Sequence, residues 1–334
     1  MDKKNIKLWE TNIKRFIFHN KLFKKNLKKD EIKIKLLGEG TSTLNFLVEI
    51  NKNKFVFRFN VNNSRLDHFK KEYKFFNLFK KNKFIPQLIY KDLSLENIFK
   101  RPFMILLYIK GISLAKTHYK ISSKLIKNLA KEVSNIHLLN KNPLFLKEEC
   151  VKDRIENRLI FLKKSLPVES INCLRKICSL LPVIPISIKK KLIIHNNIWE
   201  GNIIYYKGGL RIIDYETACF GEPAQEIAHI FVDFKTGYLF SKEEQNIFIK
   251  EYLKYVSDKT LLEKVNFFMK FEAFDSFLRT IEYDLASKNK LNNQILRDTM
   301  KSNSGRKKLR SYFNLLKKLE IIDKKYSLKK IYPV

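Results

Sequence analysis

The stretch "KLIIHNNIWEGNIIYYKGGLRIIDYE", residues 191–216, constrains the fold more than any other part of the chain. It reads as three short apolar runs. A polar loop beginning at His195 separates the first two, and a turn at Gly208 and Gly209 separates the second from the third. Runs this short, rich in Ile and Tyr and bounded by turn residues, predict strands. The loop gathers His195, Asn196, Asn197, Glu200 and Asn202, and the third run ends at Asp214. Asn and Asp oxygens are hard donors that suit Mg²⁺. A loop between two strands, with a second donor just past the adjacent strand, can bring Asn202 and Asp214 to one ion.

The chain before this stretch changes period twice. Residues 5–29 carry Ile6, Trp9, Ile13, Phe16 and Ile17 at helical spacing. From Ile32 the pattern alternates: "IKIKLLGEG", "TLNFLVEI" and "KFVFRFN" predict three successive strands, with a hairpin turn at residues 51–53. Ser64 reads as the N-cap of a helix over residues 64–81, and "QLIYKDL" and "FMILLYIKG" read as two more strands. Beyond Gly111 the pattern is mostly helical: residues 122–139, a variable stretch at 154–181, then 223–235, 242–256, 261–287 and 305–319. The expected organisation is an N-terminal helical extension (1–30), a five-stranded lobe with one helix (31–110), and a larger helical lobe (111–334). Two lobes joined near residues 108–111 would leave a cleft, a common ligand site.

The formal net charge of +33 raises nucleic acid or an anionic surface as a partner. Most of the 67 basic residues are Lys, spread along the whole chain. Lys, Asn, Ile and Phe share A/T-rich codons, and Arg, the better fork for phosphate and guanine, is scarce. A solvated Lys-rich surface is the simpler reading. No specific nucleic-acid partner is expected, and a basic nucleic-acid- or membrane-surface-binding protein stays as a third alternative. The four cysteines form no C-x-x-C pair, no secretory leader is evident, and the longest apolar run, residues 103–109, is too short to span a bilayer. A soluble, cytoplasmic protein is expected, and its oligomeric state is left open.

Phosphoryl transfer needs phosphates covered, a cation paired with them, magnesium held and a hydroxyl oriented. "GEGTSTLNF" offers a glycine-rich turn with Gly38, Gly40, Thr41, Ser42 and Thr43. Alone, that turn serves equally as an ordinary hairpin loop. On the third strand Phe55, Phe57 and Phe59 share the core face, so Val56 and Arg58 point the other way. Glu72, beside Phe69 and Phe76 on the next helix, either reaches Arg58 or pairs with a neighbouring Lys at the surface.

Taken together, these segments resemble the aminoglycoside phosphotransferase and choline kinase family, which has a protein-kinase-like fold. The family loop H-[GN]-D-x-x-x-x-N appears here as "HNNIWEGN", and its I-D-[WF]-E-like segment as "IIDYE". "GEPAQEIAHI" and "EVSNIHLLN", with His137, also match in kind, so the resemblance spans residues 32–230. It implies an α+β, two-lobed fold with a small antiparallel five-stranded N-lobe and a larger helical C-lobe. It also implies an ATP- and Mg²⁺-dependent transfer to a hydroxyl of a small molecule: an amino-alcohol, an aminoglycoside or a sugar-like compound. By the same resemblance, Gly38, Gly40, Thr41, Ser42 and Thr43 cover the phosphates, Arg58 contacts them and Glu72 orients Arg58. Leu107 and Ile109 face adenine, Asn202 and Asp214 hold Mg²⁺, and His195 braces the loop. Glu226 stands where relatives tie the loop down with an aspartate.

One position departs from the pattern. Asn197 occupies the place of the family's catalytic Asp. An amide accepts a hydrogen bond but takes no proton at neutral pH. The chain is then a slow kinase, a nucleotide-binding pseudokinase, or a kinase with another base, for which Glu200 is the nearest loop carboxylate. For the acceptor, Glu272 and Asp275 share a helix face with Arg279 and Glu282. That face is either solvated, with an Asp275–Arg279 pair, or a wall that takes a cationic alcohol.

Overall fold

A computed structural model describes residues 3–20, 22–23, 32–40, 42–117, 119–183, 191–206, 208–235, 238–287, 303–323 and 326–332. The chain divides into two compact units, Met1–Lys110 and Gly111–Val334.

The first unit opens with α1 (Lys3–His19), then β1 (Ile32–Glu39), β2 (Thr43–Ile50), β3 (Asn53–Asn60), α2 (Leu66–Leu78), β4 (Leu88–Asp92) and β5 (Phe103–Leu107). The strands form one antiparallel sheet in the order β1-β2-β3-β5-β4. Asn51 and Lys52 join β2 to β3 at φ 48° and 68°. A two-residue hairpin needs left-handed backbone at both central positions, and Asn tolerates it well. The alternation of β3 separates the two faces of the sheet. Phe57 and Phe59 are fully buried with Phe46 and Phe103. Trp9 and Phe16 of α1 cover that face, with ring centroids 4.6 Å from Phe59 and 5.2 Å from Phe103. The helical pattern predicted past His19 runs into residues 24–29, which lie outside the described ones.

The start of α2 differs from expectation. Ser64 is not its N-cap. Asn62 caps a short 3-10 turn, Asn63–Arg65, its Oδ1 accepting from the Ser64 N–H at 3.1 Å, and α2 begins afterwards. Asn makes such a turn over its own backbone, and this one moves the N-cap of α2 from Ser64 to Arg65.

The second unit contains β6 (Ile112–Ser113), α3 (Ser123–His137), α4 (Val151–Leu162), α5 (Val168–Ser179) and β7 (Leu192–Ile194). Then follow β8 (Ile203–Tyr206), β9 (Gly209–Ile212), β10 (Cys219–Gly221), α6 (Pro223–Asp233), α7 (Lys242–Tyr252), α8 (Leu261–Ser287), α9 (Asn303–Lys318) and α10 (Leu328–Ile331). The variable stretch resolves into α4 and α5, with Pro167 at the N-cap of α5. Pro fixes the extended entry and lacks the N–H that would continue α4. The small strands make two sheets, β6-β8-β9 and β10-β7. Every residue of α6 is buried, so this helix sits at the centre of the unit. Among the described residues no helix is long and apolar enough to cross a membrane.

Candidate phosphotransferase site

In the first unit, β1 and β2 meet in a tight hairpin. Gly40 N donates to Thr43 O at 2.8 Å, and Val61 N donates to Ser42 O at 2.9 Å. Ser42 and Thr43 are buried. Thr41 lies outside the described residues. Neither Gly38 nor Gly40 adopts a left-handed φ, so the backbone does not demand glycine at either place. A Cβ on Gly38 would meet nothing within 4 Å, and one on Gly40 would meet only Thr43, at 3.4 Å and beyond. The two glycines therefore leave backbone bare on its open side, as a strand does where something else must come close.

Arg58 points away from the aromatic face, and its Nε donates to Glu72 Oε2 at 2.9 Å. The side chains are 11% and 1% exposed. A carboxylate this buried needs its cation, so the pair fixes the guanidinium in one place. Met104 and Asn45 flank Arg58 across the sheet. At the end of β5, Leu107 is exposed and Ile109 half-buried, and Tyr108 N donates to Lys54 O at 3.0 Å.

In the second unit the loop after β7 is held by backbone contacts that local sequence dictates. Ile213, at the end of the hairpin, ties both ends of the loop. Its N–H donates to Asn202 O at 2.9 Å, and its carbonyl accepts from His195 Nε2 at 3.0 Å. A carbonyl only accepts, so Nε2 carries the His195 proton. The next residue, Asp214, has φ 73° and ψ 65°. Asp tolerates that left-handed geometry, and strain of this kind gathers at functional sites. Asn202 is buried, and its Nδ2 donates to Asn197 O at 3.0 Å. No donor meets its Oδ1 among the described residues. Asn197 is half-buried, and its side chain makes no hydrogen bond among them.

Glu226, on α6, closes the loop from the other side. Its two oxygens accept from His195 N, at 3.2 Å, and from Asn196 N. His137 Nε2 reaches the same carboxylate at 2.8 Å, and Tyr252 OH sits 2.7 Å from His137 Nδ1. The longer Glu thus makes the tie expected of an aspartate. Glu200 accepts from Tyr119 OH at 2.6 Å. Burial, and then the Glu200 hydrogen bond and charge, push the Tyr119 phenol far up, so it stays a donor.

A sequence model of the phosphotransferase enzyme family matches residues 33–268, most of the chain. The chain belongs to that family. Solved structures share its fold at low identity. Choline kinase from Cryptosporidium parvum Iowa II has a TM-score of 0.63 at 16% identity, covering 94% of this chain and 98% of its own. APH(2")-IIia in complex with GDP and kanamycin has 0.60 at 16%, covering 93% and 98%. A Plasmodium vivax ethanolamine kinase has 0.59 at 16%, covering 93% and 91%. A search of curated protein sequences finds no significant match.

In this family member Glu272 and Asp275 are not on a solvated face. They are 0% and 3% exposed. Asp275 does not pair with Arg279 along the helix. Its Oδ1 accepts from Arg158 Nε at 2.6 Å, and Glu272 Oε1 accepts from Arg154. Arg279 turns instead to Asp233. The helical wheel shows which carboxylates share a face but not that α4 covers it. Two arginines at i, i+4 on α4 neutralise the charges proposed for a cationic acceptor. Burial alone would raise the Asp275 carboxyl, but Arg158, Arg154 and Arg279 hold it well below the usual carboxylate range. Sequence reasoning overlooked Arg154, Arg158 and Tyr119.

The loop carries a pH signature. Burial lowers the His195 pKa below its ordinary 6.5, against the pull of Glu226 and Asp214. The unfolded chain therefore binds a proton near pH 6.5 that the fold refuses, and stability falls as pH drops through that value. His195→Gln keeps a donor for Ile213 but cannot titrate. The expected result is a melting-temperature advantage of parent over variant that shrinks from pH 7.5 to pH 5. Glu132, pushed up to about 7 by burial against the pull of Arg211, titrates in the opposite sense in both proteins and cancels from the difference. Parallel profiles would show that His195 is not held neutral by the fold.

Proposed function

We propose that this chain transfers the γ-phosphoryl group of ATP, with Mg²⁺, to a hydroxyl of a small molecule. The observation that carries the reading is the Ile213 strap. It binds Asn202 and His195 together and sets Asp214, in its left-handed geometry, directly after them. The donor set suits Mg²⁺, which takes one or two protein oxygens and fills its octahedron with phosphate and water. No group of three or more His, Cys, Asp or Glu side chains able to hold a metal occurs among the described residues. When bound, the ion would neutralise charge on the transferring phosphoryl group.

The chain's own residues supply the rest. Arg58, fixed by Glu72, binds nucleotide phosphates, and the side-chain-free turn at Gly38 and Gly40 lets them approach backbone. Leu107 and Ile109 offer apolar surface to the base. Asn197 Oδ1 orients the acceptor hydroxyl by accepting its hydrogen bond. In a loose transition state the bond to the leaving ADP is largely broken before the acceptor proton must depart, so an orienting amide supports slow transfer. The solved neighbours named for choline, ethanolamine and kanamycin favour a cationic alcohol as acceptor. Glu200, with its second oxygen not engaged by Tyr119, is the carboxylate that remains on the loop for such a cation or for a proton.

A second reading rests on one observation: nothing at position 197 can take a proton, which fits a nucleotide-binding pseudokinase. A thermal-shift series separates the two. Mg·ATP should raise the melting temperature, and one of a panel of amino-alcohols, aminoglycosides and sugars should raise it further and be phosphorylated. Nucleotide stabilisation without turnover of any acceptor selects the pseudokinase. No stabilisation by any nucleotide removes both.

A further inference from the structure

Asn196, between His195 and Asn197, sits at φ 63°. Asn tolerates left-handed backbone better than most residues, but the conformation is still uncommon and persists where neighbouring groups hold it. Two groups do. Glu226 takes its N–H, and Arg154 Nη1 donates to its Oδ1. Arg154 is itself held on the far side. Its Nη2 binds Glu272 Oε1, and its Nε lies 3.6 Å from Asp275 Oδ2. The other Glu272 oxygen accepts from His229 Nδ1 at 3.1 Å, and the other Asp275 oxygen accepts from Arg158 at 2.6 Å. Both carboxylates are almost fully buried. The network thus runs from α8 through one guanidinium on α4 to the residue before Asn197.

We propose that Arg154 is a positioning residue for the phosphoryl-transfer loop: its fork locks Asn196 in the left-handed geometry that aims the Asn197 side chain. The inference rests on the kinase reading for its rate effect but not for its structural part. A buried network in which both Glu272 oxygens and Asp275 Oδ1 accept hydrogen bonds rigidifies what it holds. The planar fork sets Nη1 on Asn196 and Nη2 on Glu272 in one fixed geometry, a direction that the shorter lysine with its rotating ammonium does not fix. Burial lowers the Arg154 pKa, but Glu272, Asp275 and Glu149 outweigh it, so the cation persists at any working pH. Glu272 and Asp275, in this account, serve the loop through Arg154.

Two variants test the proposal in the full-length chain. Arg154→Lys keeps the charge and loses the fork. Asn196→Gly keeps the left-handed backbone, which glycine adopts freely, and leaves the carboxylate network intact. Each is expected to lower kcat at least tenfold with acceptor KM and the Mg·ATP thermal shift unchanged. The double variant should be no worse than the worse single, because both remove one interaction. Native-state amide exchange at His195 and Asn196 should quicken at least tenfold in both, with other protected amides unaffected. That measurement needs no turnover, so it decides the clamp even where the parent proves inactive, an outcome that counts against the kinase reading alone. Unchanged exchange in Asn196→Gly, additive rate effects, or a kcat loss matched by loss of nucleotide binding would overturn the proposal.

Discussion

Replacing Asp214 with alanine is expected to abolish the Mg²⁺-dependent part of nucleotide stabilisation, and turnover with it. The carboxylate is the only formal negative charge among the two proposed metal donors, since Asn202 contributes a neutral oxygen. A ligand at a hundred times its dissociation constant stabilises by about 2.7 kcal/mol, which for a chain of this size is roughly 4 °C of melting temperature. The variant should show only the smaller shift that ATP gives with a chelator present. Alanine at φ 73° adds strain of its own, about 1 kcal/mol. Asp214→Asn therefore belongs beside it, because Asn tolerates the same backbone and removes only the charge. Both should lose the Mg²⁺ increment while melting near the parent in its absence. A full Mg·ATP shift in Asp214→Asn would move the metal site elsewhere.

What the sequence revealed and what it hid divide along chain distance. The β2–β3 turn at Asn51 and Lys52, the alternation that buries Phe57 and Phe59, and the His195-to-Asn202 loop are local patterns, and each is legible from neighbours in sequence. The Arg58–Glu72 pair joins residues on adjacent elements, and the strand alternation pointed to it. The α4–α8 network joins residues more than a hundred positions apart. No period on α8 reports what covers its acidic face, so Glu272 and Asp275 read as a solvated face with an Asp275–Arg279 pair or as an acceptor wall, when they pair with Arg154 and Arg158 of α4. One signal was available. In a chain that uses Lys almost everywhere, five arginines among the described residues pair with buried carboxylates: Arg58 with Glu72, Arg154 with Glu272, Arg158 with Asp275, Arg211 with Glu132 and Arg279 with Asp233. Arg is the better partner in a dry, directional contact, so where codon bias favours Lys its retention marks such sites.

Asn197→Asp is expected to raise kcat at least tenfold. General-base assistance contributes about 10²–10⁴ in rate, and the parent amide supplies the orientation but not the proton acceptor. The surroundings admit the change. Asn197 is half-buried, its side chain makes no hydrogen bond among the described residues, and the loop is held through its backbone carbonyl by Asn202. A carboxylate therefore displaces no existing contact of the Asn197 side chain, and the stability change should stay within about 0.5 kcal/mol. The electrostatic cost is a second negative charge on the loop, which bound Mg²⁺ would offset. The gain should accordingly appear in kcat with the metal present, leave the Mg·ATP thermal shift as in the parent, and fade as pH falls into the carboxylate range. If ATP still binds and the rate does not rise, the missing proton acceptor is not what limits this site. Glu200→Gln then decides what remains. Loss of turnover would assign the base to Glu200, and no turnover in parent or variant would leave the chain a nucleotide-binding member of a family of enzymes.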